Sequence, residues 1–142
     1  MSYIAQADII GQISNAQLIQ LTDDDRTGLV DAAKVDKAIS DAESEINGYV
    51  ATRYAVPVAA PVPDLVKKLA TDIAVYSLWR RRQKVPEIVR TAYEDAMKKL
   101  SDISKGVITL GIDPAPAPST KGSSGEAIGP ERVFDRDKLG SF

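Results

Sequence analysis

Apolar residues along this chain recur at intervals of three and four, the spacing that lines one face of a helix, and Pro and Gly break that rhythm at a few defined places. The opening pattern is short. Ala5 to Ile10 reads as one helical piece stopped near Gly11, and Ser14 to Leu21 as a second, with Ser14 and Gln17 at the S-x-x-Q spacing of a capping box. An acidic loop, Thr22 to Gly28, follows. From about Asp31 to Arg53 the positions Val35, Ile39, Ala42, Ile46, Tyr49 and Val50 form one stripe. Asn47-Gly48 would ordinarily mark a turn, but the stripe stays in phase across it, which predicts a weakened or kinked helix rather than an end.

Tyr54 to Pro63, with Pro57, Pro61 and Pro63, predicts an extended connector, because a proline disfavours helix at the residue before it. The next stretch, Asp64 to about Arg82, carries Leu65, Val66, Leu69, Ile73, Ala74, Tyr76 and Trp79 around much of its circumference, so it is expected to be the central, most buried helix. Pro86 stands where a first-turn proline belongs, and Val89, Ala92, Tyr93, Ala96, Leu100 and Ile103 carry a last helix to a stop at Gly106. Val107 to Leu110 is β-prone, yet a lone strand has nothing to pair with inside this chain, which leaves pairing with another copy. The expected fold class is therefore mainly α: a small bundle of about four helices with a short β-prone segment and an extended C-terminal arm. The expected division is residues 1–110 for the helical domain and 111–142 for the arm.

The arm holds four of the eight prolines and five of the nine glycines. It begins as a Pro-Ala spacer, Asp113 to Pro118, and continues as a Gly-Ser stretch, Lys121 to Gly125, a composition expected to be disordered. Both phenylalanines of the chain, Phe134 and Phe142, lie in it with Val133 and Leu139, which makes these four the candidate docking residues for a partner or a neighbouring copy.

Composition narrows the chemistry. The 142 residues suit one domain, and 44% apolar content can supply a core. With no Cys and no His there is no disulfide framework, no thiolate or imidazole metal site and no histidine acid-base catalyst. The net charge of −2 gives no bulk basic surface for nucleic acid, but it conceals a gradient: −6 over residues 1–65, +5 over 66–110 and −1 over 111–142. The acidic and basic segments either pair within one chain or meet between copies head to tail, as in a heterologous ring. No apolar run approaches the roughly 20 residues of a membrane span. Met1 to Ile4 lacks a secretory pattern, so the expectation is a soluble protein made in a cytoplasm, with no membrane partner.

The acidic loop invites comparison with a calcium loop. With Asp23 as position 1, Asp25 falls at 3, Thr27 at 5, Gly28 at the sharp-turn position 6 and Asp31 at 9. Position 12, which needs a bidentate Glu, is Lys34. The favoured reading is a polar interhelical loop whose Asp residues suit the N-terminus of the next helix, with a calcium site at Asp23, Asp25 and Asp31 as the alternative. Arg80, Arg81, Arg82 and Lys84 form the strongest basic run. Cations are favoured at a helix C-terminus; the alternative is an interface with an acidic patch of a neighbouring copy or with passing DNA. The carboxylates Asp36, Asp41, Glu43 and Glu45 are expected on a solvated face. Tyr49, Tyr54, Tyr76, Tyr93 and Trp79 are expected in the core. No phosphate loop, nucleophile elbow or cofactor fingerprint is present, and the expectation is a protein that is not an enzyme and takes no cofactor.

Several segments together resemble the Mu-type phage family of small head-to-tail connector proteins. They are Leu18-Ile19-Gln20-Leu21-Thr22-Asp23, the Gly28 loop, Ala38-Ile39-Ser40-Asp41-Ala42 and Glu45-Ile46-Asn47-Gly48-Tyr49. Arg53-Tyr54-Ala55-Val56-Pro57, Leu69-Ala70-Thr71-Asp72-Ile73-Ala74 and the closing Arg132-Val133-Phe134-Asp135-Arg136-Asp137-Lys138-Leu139 through Phe142 complete the set. Asn47 departs from the acidic residue expected before the Gly. The resemblance implies a structural virion protein of the head-tail neck, synthesised in the host bacterial cytoplasm. It implies a homo-oligomeric ring, dodecameric, between the portal protein and a tail-side stopper or tail-completion protein, with DNA met only by passage through the channel. The alternative from another class is a small helical nucleic-acid-binding or regulatory protein working through Arg80 to Arg82.

Overall fold

The computed structural model describes residues 2–116; the candidate docking residues Val133, Phe134, Leu139 and Phe142 lie outside the described residues. The chain forms α1 (Gln6–Gln12), α2 (Asn15–Thr22), α3 (Ala32–Val50), α4 (Asp64–Arg80) and α5 (Glu87–Lys105). The fold is mainly α, with five helices and no strand among the described residues, where about four helices were expected. The extra element comes from the opening pattern. Ile13 and Ser14 are both extended, Ile13 is buried, and together they split the segment into α1 and α2. Gly11 stays inside α1, so the anchoring of Ile13 in the core, rather than the glycine, ends that helix. The capping box forms as its spacing requires: Ser14 Oγ accepts from Gln17 N–H at 3.2 Å, and Gln17 Oε1 accepts from Ser14 N–H at 3.3 Å.

Asp31 caps α3 by accepting from Lys34 N–H at 3.4 Å. Val35, Ala38, Ile39, Ala42, Ile46 and Val50 form its buried stripe, and the helix runs through Asn47-Gly48 without ending. α4 contacts each of the other four helices and buries residues on nearly every side, from Val66 through Ile73 to Leu78. It is the central helix, as its sequence predicts, because only an all-round apolar helix can serve four neighbours. Fully burying each Leu or Ile contributes about 1.5–3 kcal/mol, so α4 is the principal source of cohesion.

α5 ends at Gly106 in a left-handed conformation, φ 79. Gly106 N–H donates to Ile103 O at 3.0 Å and Val107 N–H to Asp102 O at 2.9 Å, the paired bonds of a Schellman motif. Glycine is favoured here for its φ; the guanidinium of Arg53 lies over it, where a Cβ would have to displace that side chain.

The segment after α5 lies against the connector between α3 and α4. Leu110 is buried and donates its N–H to Tyr54 Oη at 3.2 Å, and Ala115 N–H donates to Arg53 O at 2.8 Å. Val107 to Leu110, expected as β-prone, is irregular and bonds to a side chain instead of a strand. The N-terminus is held in a parallel way. Tyr3 Oη accepts from Val58 N–H at 2.8 Å and donates to Asn47 Oδ1, while Glu43 accepts from the Ser2 hydroxyl and from Tyr3 N–H. Glu43, expected on a solvated face, is therefore half-buried and pins residues 2–3 to α3.

Candidate functional site

Two features meet at the C-terminal end of α4. The first is an ionic corner centred on Asp24. Its carboxylate faces Lys34 Nζ at 2.7 Å, Arg81 Nη2 at 2.7 Å and Arg82 Nη2 at 3.0 Å. The same cations close the end of α2. Arg82 Nε donates to Gln20 O at 3.1 Å, Arg81 Nη1 to Leu21 O at 2.8 Å and Lys34 Nζ to Thr22 O at 2.9 Å. The last carbonyls of a helix have no intrahelical partner and carry partial negative charge, so three cations there satisfy both requirements. Ion pairing with Lys34 and Arg81 holds the Asp24 carboxyl below the ordinary carboxylate range, and Asp24 with Asp31 in turn raises the Lys34 ammonium.

This corner decides several sequence expectations. The acidic loop and the basic run meet within one chain, through Arg81 and Arg82. Arg80 and Lys84 are exposed and make no ion pair among the described residues. The proposed calcium ligands have other work. Asp23 Oδ1 accepts from Thr27 N–H at 2.9 Å and Oδ2 from Gly28 N–H at 2.7 Å, bonds that hold its carboxyl below the ordinary range. Asp31 caps α3 and pairs with Lys34 at 3.0 Å, which also lowers its carboxyl. Asp25 is exposed. The Lys34 ammonium, the residue at position 12 of the loop, already pairs with Asp31 and Asp24 and bonds the Thr22 carbonyl. No group of three potential metal ligands is assembled among the described residues.

The second feature is apolar. A largely apolar groove of about 390 Å3 opens between the α1–α2 junction, the end of α4 and the start of α5, lined chiefly by Ile13, Val75, Trp79, Ile88 and Val89, with Gln12 and Gln17 as its polar members. Ile88 is 80% exposed. The indole N–H of Trp79 is buried with no acceptor among the described residues. Trp79 was expected in the core and is only half-buried, its open side forming the groove.

Elsewhere, Tyr76 and Tyr93 stack with ring centroids 4.0 Å apart and planes 11° from parallel. Tyr93 donates to Glu45 Oε1 at 3.1 Å; burial, reinforced by the Glu45 charge, pushes its phenol up to about 12. Asp72 is a buried carboxylate that the sequence reading passed over: it accepts from Gln12 Nε2 at 3.0 Å and pairs with Lys68 at 2.8 Å, tying α1 to α4. Its signal in the sequence is a charged residue within an otherwise apolar stripe. No helix among the described residues is long and apolar enough to cross a membrane.

The fold and this end of α4 define a small all-helical module with a closed ionic corner and an open apolar groove beside it. The chain matches the family model described as Bacteriophage Mu, Gp36 over residues 3–127, and it belongs to that family. It is 32% identical over 102 residues to the Mu-like prophage FluMu protein gp36 of Haemophilus influenzae, covering 70% of each chain. It is 27% identical over 123 residues to Gene product J of Escherichia phage Mu, covering 86% of this chain and 85% of that one.

Proposed function

We propose that this protein is a structural component of the virion neck, a head-to-tail adaptor. Copies form a ring, dodecameric by the family resemblance, between the portal and the tail-side stopper or tail-completion protein. The observation that supports this reading is where the chain leaves the bundle and where the groove opens. The chain leaves the bundle toward its arm beside Arg53 and Gly106, at the C-terminal end of α5, while the apolar groove opens at the N-terminal end of α5. A rigid body with connecting elements at opposite ends suits head-to-tail association, which builds rings when the rotation closes. The absence of His and Cys from the sequence and the residues gathered around Asp24 support a role without catalysis or cofactor. The nucleic-acid reading is weakened because Arg81 and Arg82, two of its three arginines, are engaged on the protein's own loop.

The mechanism is assembly. A subunit that is monomeric alone binds the portal-bearing head, and its arm engages the assembly there, so that affinity accumulates around the ring. The test is loading of purified full-length protein onto portal-bearing heads. Wild type is expected to sediment with heads only when portal is present, with its arm protected from protease. The double variant Phe134→Ala, Leu139→Ala is expected to lose loading. Full loading by the variant overturns the role of the arm, and salt-sensitive duplex binding by the free protein in place of head binding overturns the adaptor reading.

A further inference from the structure

The groove beside Trp79 is incomplete in two chemically distinct respects. Its apolar walls leave about 390 Å3 open, with Ile88 80% exposed at its edge. The buried Trp79 indole N–H also lacks an acceptor among the described residues, although buried donors are nearly always paired. An occupant that fits supplies apolar side chains together with a backbone or carboxylate oxygen. Beyond Pro116 the chain carries such a sequence in Val133-Phe134-Asp135, followed by Leu139. We propose that, in the isolated subunit, the Val133–Leu139 segment of the same chain occupies this groove, with Phe134 against Trp79 and Ile88 and an oxygen of the segment accepting the indole N–H.

The length of the tether selects the chain's own segment over that of another copy. Ala115 is bonded to Arg53, which covers Gly106 at the C-terminal end of α5, whereas Ile88 and Val89 border the groove at the N-terminal end. The 19 residues of α5 therefore set the span, about 28 Å. From Pro116 to Val133 the chain advances 17 residues through a Gly, Ser and Pro composition. Such a tether has a typical coil reach of about 23 Å and an extended limit of about 56 Å. Effective concentration is greatest when tether and span match, reaching roughly the millimolar range for short linkers. The assignment rests on the groove and the tether alone and concerns the subunit before assembly, so it stands or falls independently of head loading.

The chain has a single tryptophan, so Trp79 fluorescence reports the groove directly. In full-length protein, Phe134→Ala is expected to shift the emission to longer wavelength and to raise acrylamide quenching about twofold as the site opens. Ile88→Ser, at an exposed groove residue, is expected to speed tryptic cleavage after Arg132 and Arg136 about tenfold relative to cleavage after Lys121, which lies in the tether. Unchanged emission and quenching in the first variant, with unchanged relative cleavage in the second, overturn the proposal. Effects that appear only as protein concentration is raised assign the groove to a second copy and overturn docking within one chain.

Discussion

The two sides of the α4 terminus differ in how completely their groups are used. On one side, Arg81 and Arg82 meet the Asp24 carboxylate and the carbonyls of Gln20, Leu21 and Asp23, so that charge and hydrogen-bonding capacity are matched. Two residues before Arg81, Trp79 opens onto an unfilled groove with its donor unpaired among the described residues. The chain can place a structural lock and an open apolar groove at one helix end because residues two apart on a helix point in nearly opposite directions, about 200° apart. Strong charge, the more conspicuous signal, belongs to the lock, and the quieter apolar residues line the groove.

The variant expected to erase the contrast is Leu78→Ala. Leu78 is fully buried on α4, and its truncation should destabilise both sides together by about 2–5 kcal/mol, measured by urea unfolding. Thr22→Val isolates the closed side. Its buried hydroxyl donates to Leu18 O at 2.8 Å and accepts from Asp31 N–H at 3.2 Å. Leaving the Asp31 N–H without its acceptor should cost about 1–3 kcal/mol while Trp79 emission stays unchanged.

Acid should act on the closed side in a defined direction. The carboxyls of Asp23, Asp24 and Asp31 are lowered in the folded protein, so their contribution is complete above the unfolded carboxylate value, about 3.9. It is lost as pH falls below that value and through the lowered native ones. Wild type should therefore lose more stability than Asp24→Asn between about pH 5 and pH 2 in parallel thermal melts. At Tyr93 the sign reverses. Its phenol is raised from 10.0 to about 12, so its contribution is complete below 10 and lost as pH rises through 12; ultraviolet titration should show a late ionisation of Tyr93 that Glu45→Gln shifts downward. The smallest effect belongs to the open side: Ile88→Ser should change global stability by no more than about 0.5 kcal/mol, because that residue is 80% exposed.

Much of the bundle was legible because local rules sufficed. The stripes of α3 and α5, the Ser14–Gln17 box and the stop at Gly106 each depend on residues within one or two turns. α4 ends at Arg80, two residues before the expected Arg82, because Arg81 to Gln83 turn toward the acidic loop, with Gln83 at φ 58. The site was less legible for the same reason. The Asp24 bond to Arg81 spans 57 residues and the Asp72 bond to Gln12 spans 60, so neither pairing leaves a periodic trace. Glu43 reads as a solvated position and Asn47 as part of a turn signal until the N-terminal segment folds over them.

The wide separation of the partners in the ionic corner also carries a kinetic consequence. Residues 20–24, 34 and 81–82 lie on three different helices and their connections, and contacts of such wide sequence separation are expected to close late in folding. Interactions that form after the folding transition state slow unfolding and leave the folding rate nearly untouched. Asp24→Asn should accordingly steepen none of the folding limb and raise the unfolding limb of a denaturant chevron. On that expectation the corner acts as a latch that governs the lifetime of the folded subunit more than the speed of its folding.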